Sequence, residues 1–190
     1  MRKMAMAAVG IVLLVAGCGG SGEPKAVGEP PPASTSTSSA PVPTTLSRAE
    51  SEKAVLDAYR AGWEAKRLSN DPPDPNFAGL AETHTGPALE QAVANRRAFQ
   101  ATGRVGRFPE NSIAESRLQV LSLGPNEAVV RDCSVDDGQI VVAETDEVVN
   151  DLVGTVLFEG TMVVEDGRWK LRSLKVIEEW EGVTGCAADS

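Results

Sequence analysis

Residues 152–180 read LVGTVLFEGTMVVEDGRWKLRSLKVIEEW, and this stretch decides the fold. Two runs rich in β-branched residues, 152–165 and 168–180, flank the dipeptide Asp166-Gly167, which favours a tight turn. The two runs are therefore predicted to form a long β-hairpin. In the first run, alternate positions carry the apolar side chains of an inward face. These positions are Leu152, Val156, Phe158, Met162 and Val164.

The second run changes its apolar parity part-way along. Trp169 and Leu171 share one parity, whereas Leu174 and Val176 share the other. A bulge or bend near Ser173 would accommodate this change, as a curved sheet requires. The alternative is a strand that is partly covered on both faces.

Further strands are predicted upstream of the hairpin, at residues 112–123, 127–135 and 139–143, where turn residues recur at strand spacing. Together the strands predict a long antiparallel meander.

Helices are predicted before the strands. The first spans residues 47–68, where a capping box at 47–50 precedes an apolar stripe of four-residue spacing. The prolines of residues 70–75 end it, and a short helical turn is expected at 76–81. A second helix begins at Gly-Pro and runs over residues 85–103.

Helices followed by an antiparallel meander predict an α+β domain in which the helices pack on one face of a curved antiparallel β-sheet. The element order, with Asp132 and Cys133 in mid-sheet and Trp180 and Cys186 at the end, resembles the nuclear-transport-factor-2-like (NTF2-like) cone fold. In particular it resembles uncharacterised actinobacterial lipoproteins that carry this fold. The resemblance covers residues 47–186. It implies a fold and leaves the function open, because isomerases, dehydratases, transport factors and non-catalytic domains share it.

The N-terminus has the order of a bacterial export signal. Arg2 and Lys3 precede an apolar run at residues 4–15, which is too short to span a hydrocarbon core of about 30 Å comfortably. The run ends in a tetrapeptide that resembles the lipobox of bacterial lipoproteins: Val15, Ala16, Gly17 and Cys18. This resemblance implies cleavage before Cys18 and attachment of diacylglyceryl and palmitate groups to it. The alternative is an ordinary secretory signal with a coincidental cysteine.

These features divide the chain into a signal peptide (1–17), a lipidated cysteine with a Ser/Thr/Pro/Gly linker (18–45) and an NTF2-like domain (46–190). The linker has almost nothing apolar to bury and cannot offset its ordering entropy, so we expect it to be disordered. Two or three acyl chains would hold the mature protein at the outer face of the cell membrane.

Two cysteines, Cys133 and Cys186, remain once Cys18 carries lipid. An exported chain meets an oxidising compartment, which favours a disulfide between them. The alternative is two buried thiols. The absence of Cys-x-x-Cys spacing argues against a redox centre.

Composition excludes several classes of function. A net charge of -9 argues against nucleic acid as a partner, because nucleic-acid binders need clustered cations. The chain has one histidine and lacks zinc spacing, a glycine-rich phosphate loop and a Gly-x-Ser-x-Gly elbow. We therefore expect neither a metal nor a cofactor.

Two sets of candidate site residues remain. The enzymatic set follows from the resemblance, since similar enzymes place an acid or base inside the cone; it is Asp132, His84 and Tyr59. The plainer interpretation makes His84 a solvated loop residue and Tyr59 a core residue, and puts Asp132 on the wet face. The second set would line a ligand pocket and is Trp63, Phe99 and Met162.

The poor catalytic inventory favours a membrane-anchored extracytoplasmic lipoprotein whose domain works by binding or assembly and is not an enzyme. One class of function is scaffolding of an envelope protein partner or a homodimer. A second is capture of a small apolar or anionic ligand in the cone. A third is an isomerase-like or dehydratase-like enzyme, which requires Asp132 and His84 to converge.

Overall fold

A computed structural model gives the structure of the protein and describes residues 46–186. The signal peptide, the lipobox, Cys18 and the linker to residue 45 lie outside the described residues, as do residues 187–190. Within residues 46–186, no helix combines the length and the apolar character that a membrane span needs.

The described chain is an α+β structure in which helices precede strands, as predicted. Its helices are α1 (Arg48–Leu68), α2 (Ala78–Thr83) and α3 (Gly86–Thr102). Its strands are β1 (Arg104–Arg107), β2 (Glu115–Leu123), β3 (Glu127–Asp136), β4 (Gln139–Val142), β5 (Val148–Asn150), β6 (Gly154–Glu165) and β7 (Arg168–Glu181).

The strands form two antiparallel sheets, whereas the sequence predicted one meander. The larger sheet has the order β2-β3-β6-β7, and the smaller has the order β1-β4-β5. β3 pairs with β6 along ten residues and leaves the four-residue β4 to pair with β1. Because β3 and β6 are long and matched in register, their pairing satisfies more backbone groups than β3 with β4 could. The sequence prediction missed β1 and β5, which are too short to show a period.

α1 begins where the sequence indicates. The Ser47 hydroxyl accepts a hydrogen bond from Glu50 N at 3.2 Å, and Ser47 N donates to Glu50 Oε2 at 2.7 Å. This capping box satisfies backbone donors that a helix start otherwise leaves free. α3 ends at Gly103, whose φ of 62° is the left-handed conformation that glycine adopts at low cost.

The β6–β7 hairpin carries the predicted turn and a bulge at the predicted place. Asp166 and Gly167 both have positive φ, as the tight hairpin turn requires. Thr161 pairs with Ser173 and Met162 with Leu171, so one residue between them on β7 lacks a partner. A second bulge follows nearer the end of the hairpin.

Leu152 departs from the predicted inward face of the hairpin. It precedes β6 and is 77% exposed, because the strand begins only at Gly154. Met162, on the same predicted face, is fully buried.

The main core lies between α1, the start of α3 and the larger sheet. It consists of Val55, Tyr59, Ala88, Ala128, Val130, Met162 and Leu171.

The C-terminal tail covers the opposite face of the sheet. Asp132 faces α1, so its neighbour Cys133 points to the other side. Cys133 and Cys186 lie at disulfide distance, with 2.19 Å between the sulfurs, as the cysteine count predicts. The tail then places Gly185 against Trp180 and Thr155, which accounts for the complete burial of Thr155.

Candidate functional site

Two adjacent chambers, both partly open to solvent, lie beside the C-terminal half of α1. The outer chamber has a volume of about 570 Å³, and Trp63, Phe99 and Phe108 are its aromatic lining. The inner chamber has a volume of about 170 Å³. Trp63, Lys66 and Asn95 line both, so these residues mark the boundary between the chambers.

Trp63 extends the apolar stripe of α1 into the chambers. It lies one turn after Tyr59, and their ring centroids are 6.5 Å apart in an edge-on arrangement. Its other neighbour is Phe158 of β6, at 5.6 Å between centroids. Rings in contact at these distances form a rigid apolar wall.

Lys66 brings a cation to the boundary. Its Nζ lies 3.8 Å from the centroid of the Trp63 ring, a cation–π contact. Within residues 46–186, no carboxylate lies within salt-bridge distance of this ammonium. Burial, and then the charge of Arg96, lowers the pKa of Lys66 to about 8, although Asp136 and Asp132 oppose the shift.

His84 lies in the wall of the inner chamber, at the C-terminal end of α2. It is 1% exposed, so the interpretation of a solvated loop residue is wrong. The ring packs beside Gly62 of α1, where an added Cβ would lie 3.4 Å from the His84 Cε1 atom, in ordinary contact. Burial, reinforced by the charge of Lys66, lowers the pKa of His84 to about 4. The imidazole is therefore neutral at physiological pH.

The hydrogen bonds of His84 assign its tautomer. The Thr83 hydroxyl donates to the Gly79 carbonyl oxygen at 2.6 Å, which uses its only hydrogen. The Thr83 oxygen, 2.9 Å from His84 Nδ1, can then only accept, so Nδ1 carries the proton. Nε2 is left as a lone-pair acceptor, and it is buried without a hydrogen-bond partner in the described part of the chain.

Asp132 and Tyr59 lie together, but not in the wall of either chamber. Asp132 is completely buried; its Oδ1 accepts from Ser116 Oγ at 2.6 Å and its Oδ2 accepts from the Tyr59 hydroxyl at 3.1 Å. The Trp63 indole N–H lies near this carboxylate but makes no hydrogen bond of ordinary geometry. Burial raises the pKa of both Asp132 and Tyr59. Asp132 is therefore not on a wet face.

The structure joins two of the three residues of the enzymatic set, Asp132 and Tyr59, by a hydrogen bond. Both oxygens of Asp132 accept hydrogen bonds from Ser116 and Tyr59, and no hydrogen bond joins Asp132 to His84 among the described residues. His84 faces the inner chamber, whereas Asp132 is enclosed beneath Tyr59. Within the same residues, no group of three or more His, Cys, Asp or Glu side chains is placed to hold a metal ion.

The ligand set is divided. Trp63 and Phe99 line the outer chamber. The expectation for Met162 needs correction, because Val55 and Tyr59 of α1 pack with it in the core and leave it no access to a chamber.

Sequence reasoning missed Lys66, Asn95 and Phe108. Lys66 follows Trp63 at i+3, and so continues the apolar stripe of α1 with a charged residue. A lysine in register with a buried stripe was the available signal. Nothing in the sequence marks Asn95 or Phe108.

Comparison with known proteins shows the fold and no family. No family model matches the chain, and no curated protein matches it. Among solved structures, the intermembrane space region of the chloroplast protein ARC6 is similar, with a TM-score of 0.51 and 14% identity over 66% of this chain and 95% of that one. The Kfla4162 protein from Kribbella flavida matches with a TM-score of 0.43 and 13% identity, over 70% of this chain and 95% of that one. At 14% identity, the likeness to the ARC6 region extends to the α+β fold alone.

Proposed function

We propose that the protein is a lipid-anchored, extracytoplasmic binding module that captures a small ligand with an apolar body. The observation that carries this proposal is the outer chamber of about 570 Å³ with its aromatic wall. Ligand sites typically have volumes of roughly 300–1,000 Å³ and apolar linings with a few polar groups. A non-catalytic role fits, because Asp132 is completely buried, lines neither chamber and makes no hydrogen bond to His84 among the described residues.

We also propose that the α+β domain has the NTF2-like cone fold. Two observations support it: helices α1 and α3 contact the larger sheet, and β7 carries two bulges of the kind that bend a sheet. A sheet that curves around helices encloses the interior that a binding module needs.

The proposed location at the cell membrane is inferred from the lipobox. Lipid attachment at Cys18 would hold the domain outside the cell membrane on its Ser/Thr/Pro/Gly linker. Mass spectrometry of the native protein is expected to find a chain that starts at an acylated Cys18. An intact Met1 or an unmodified Cys18 would contradict it.

Ligand capture is tested with the full chain carrying Cys18→Ser, which lacks the acylation site and brings no bilayer as a competing apolar phase. The neutral dye N-phenylnaphthylamine is expected to bind with a rise in fluorescence. Phe99→Ala should weaken it about tenfold, since a phenyl ring buried against a ligand contributes roughly 1.5–3 kcal/mol.

Leu121→Ala is the matched control, because Leu121 is an exposed apolar residue on β2 outside both chambers. It should leave the affinity for the dye unchanged. Failure of the dye to bind, or equal losses in both variants, would refute capture in the outer chamber.

A further inference from the structure

We infer that the ligand has a hydroxy-acid head, or an equivalent one that pairs an anion with an O–H or N–H donor, and that Lys66 and His84 hold it in the inner chamber. This inference rests on the proposed function above. It adds the chemistry of the polar end to the apolar body that the outer chamber would take.

Lys66 is the cation that is free to bind an anion. Other cations near the outer chamber have partners: Arg67 pairs with Glu64, and Arg60 with Asp57. Arg96 is buried and donates to Ser69 Oγ and to the carbonyl oxygens of Ala92 and Lys66. The Lys66 ammonium contacts the face of the Trp63 ring, but no carboxylate lies within salt-bridge distance of it among residues 46–186.

His84 supplies an acceptor that only a donor can satisfy. Its Nε2 is an unprotonated lone pair, because Nδ1 carries the proton toward Thr83. The atom is buried in the wall of the inner chamber and has no partner in the described part of the chain. A buried acceptor without a partner is unfavourable, and a hydrogen bond from a ligand hydroxyl or N–H would relieve that cost.

These two groups belong to the same chamber. Gly62 and Lys66 are one turn apart on α1, and the His84 ring packs against Gly62. Both Lys66 and His84 line the inner chamber, and the charge of Lys66 contributes to the lowered pKa of His84. The inner chamber therefore offers one head group both a cation and an acceptor.

The acceptor of His84 sets the orientation of the ligand. His84 lines the inner chamber but not the outer one, whereas Lys66 lies at the boundary between them. The charge of the outer chamber does not direct the head, because four cations and two carboxylates line that chamber. The apolar body then occupies the outer chamber against Phe99 and Phe108.

Naphthyl compounds that differ only in the head group test the inference on the full Cys18→Ser chain. Hydroxy(naphthyl)acetate carries both groups, naphthylacetate lacks the hydroxyl, and naphthylethanol lacks the carboxylate. We expect the hydroxy acid to bind most tightly, about fivefold above naphthylacetate and about fiftyfold above naphthylethanol. These factors follow from one neutral and one charge-assisted hydrogen bond.

Substitutions assign each preference to a residue. Lys66→Met should remove the preference for carboxylate over alcohol, with little effect on naphthylethanol. His84→Asn keeps an N–H for Thr83 but removes the acceptor at Nε2, so it should abolish the preference for the hydroxyl. His84→Gln can place an amide oxygen near the Nε2 position and should retain most of it. Thermal unfolding of each variant checks that it is folded.

The outcomes separate this inference from the proposed function. If the three probes bind equally and N-phenylnaphthylamine also binds, the head-group inference is wrong and ligand capture stands. If Lys66→Met or His84→Asn leaves the corresponding preference intact, the inference is also wrong. If neither the dye nor any naphthyl compound binds, ligand capture itself fails.

Discussion

The two halves of α1 meet the same domain in different ways. From the N-terminus to the middle of the helix, Val55 and Tyr59 are completely buried and pack with Met162. In the C-terminal half, Trp63 is only partly buried against that core and, with Lys66, lines both chambers. The difference indicates that the stripe through Val55 and Tyr59 stabilises the fold and that its continuation at Trp63 and Lys66 is available for a ligand.

The same division runs along β3. Its helix-facing side chains begin as Ala128 and Val130 and continue through Asp132 to Ser134 and Asp136. Apolar residues lie where the strand supports the core, and Asp136 lies where it lines the outer chamber. The unpartnered polar atoms of Lys66 and His84 lie at the inner chamber, and binding sites are where proteins accept such a cost in stability.

The largest expected effect is in the packed half. Met162→Ala should lower the free energy of unfolding by about 3 kcal/mol, since a cavity remains where a buried side chain was removed. Urea denaturation measures the loss. Affinity for N-phenylnaphthylamine should stay within twofold, because Met162 lines neither chamber. A large loss of dye affinity with unchanged stability would reverse the roles assigned to the two halves.

Tyr59→Phe should lower the free energy of unfolding by about 2 kcal/mol, because the buried Asp132 loses one of its hydrogen-bond donors. Urea denaturation again measures it. Ser116→Ala, which removes the other donor, is the matched control and should cost a similar amount. If neither substitution affects stability, the buried carboxylate does not depend on these hydrogen bonds.

At the inner chamber, protonation of His84 in acid should lower the free energy of unfolding. Its pKa is about 4 when folded and 6.5 in the reference state, so the unfolded chain binds a proton first as pH falls. Stability is therefore lost between pH 6.5 and 4, by on the order of 1 kcal/mol midway. His84→Gln should flatten this part of the stability–pH curve. An unchanged slope in that variant would show that other groups cause the acid sensitivity.

The smallest expected effect is that of Lys66→Met at neutral pH. Removing a partly buried cation should leave stability unchanged or raise it by a few tenths of a kcal/mol. The wild type should gain stability as pH rises from about 8 to 10.5, because the unfolded chain then binds the extra proton. The Met variant should lack that gain. A clear loss of stability on substitution would mean that Lys66 supports the fold.

Local chemistry predicted much of the fold. The Ser47 capping box, the Gly103 stop and the Asp166-Gly167 turn all lie where the sequence indicates, because each depends on a few adjacent residues. β1 and β5 depend on pairing with β4, a tertiary contact that sequence period cannot show.

The candidate site was less predictable. Trp63 and Phe99 follow from aromatic character, but a chamber is a place where packing is incomplete, and no local pattern encodes it. Asp132 and Tyr59 share a hydrogen bond across 73 residues, whereas His84 lies elsewhere. The roles of Lys66 and of His84 Nε2 depend on which groups surround them in the folded structure, and the sequence does not show those neighbours.

The bulge between Leu171 and Ser173 has a consequence for variation in chain length. It puts Leu171 and Leu174 on the same face, where both line the inner chamber, although an odd spacing normally puts two residues on opposite faces. Deleting one residue here would exchange the inward-facing and outward-facing side chains in the rest of β7. We expect homologous genes to tolerate insertions and deletions in exposed loops, such as the one before Gly154, and to keep an invariant residue count through this part of β7.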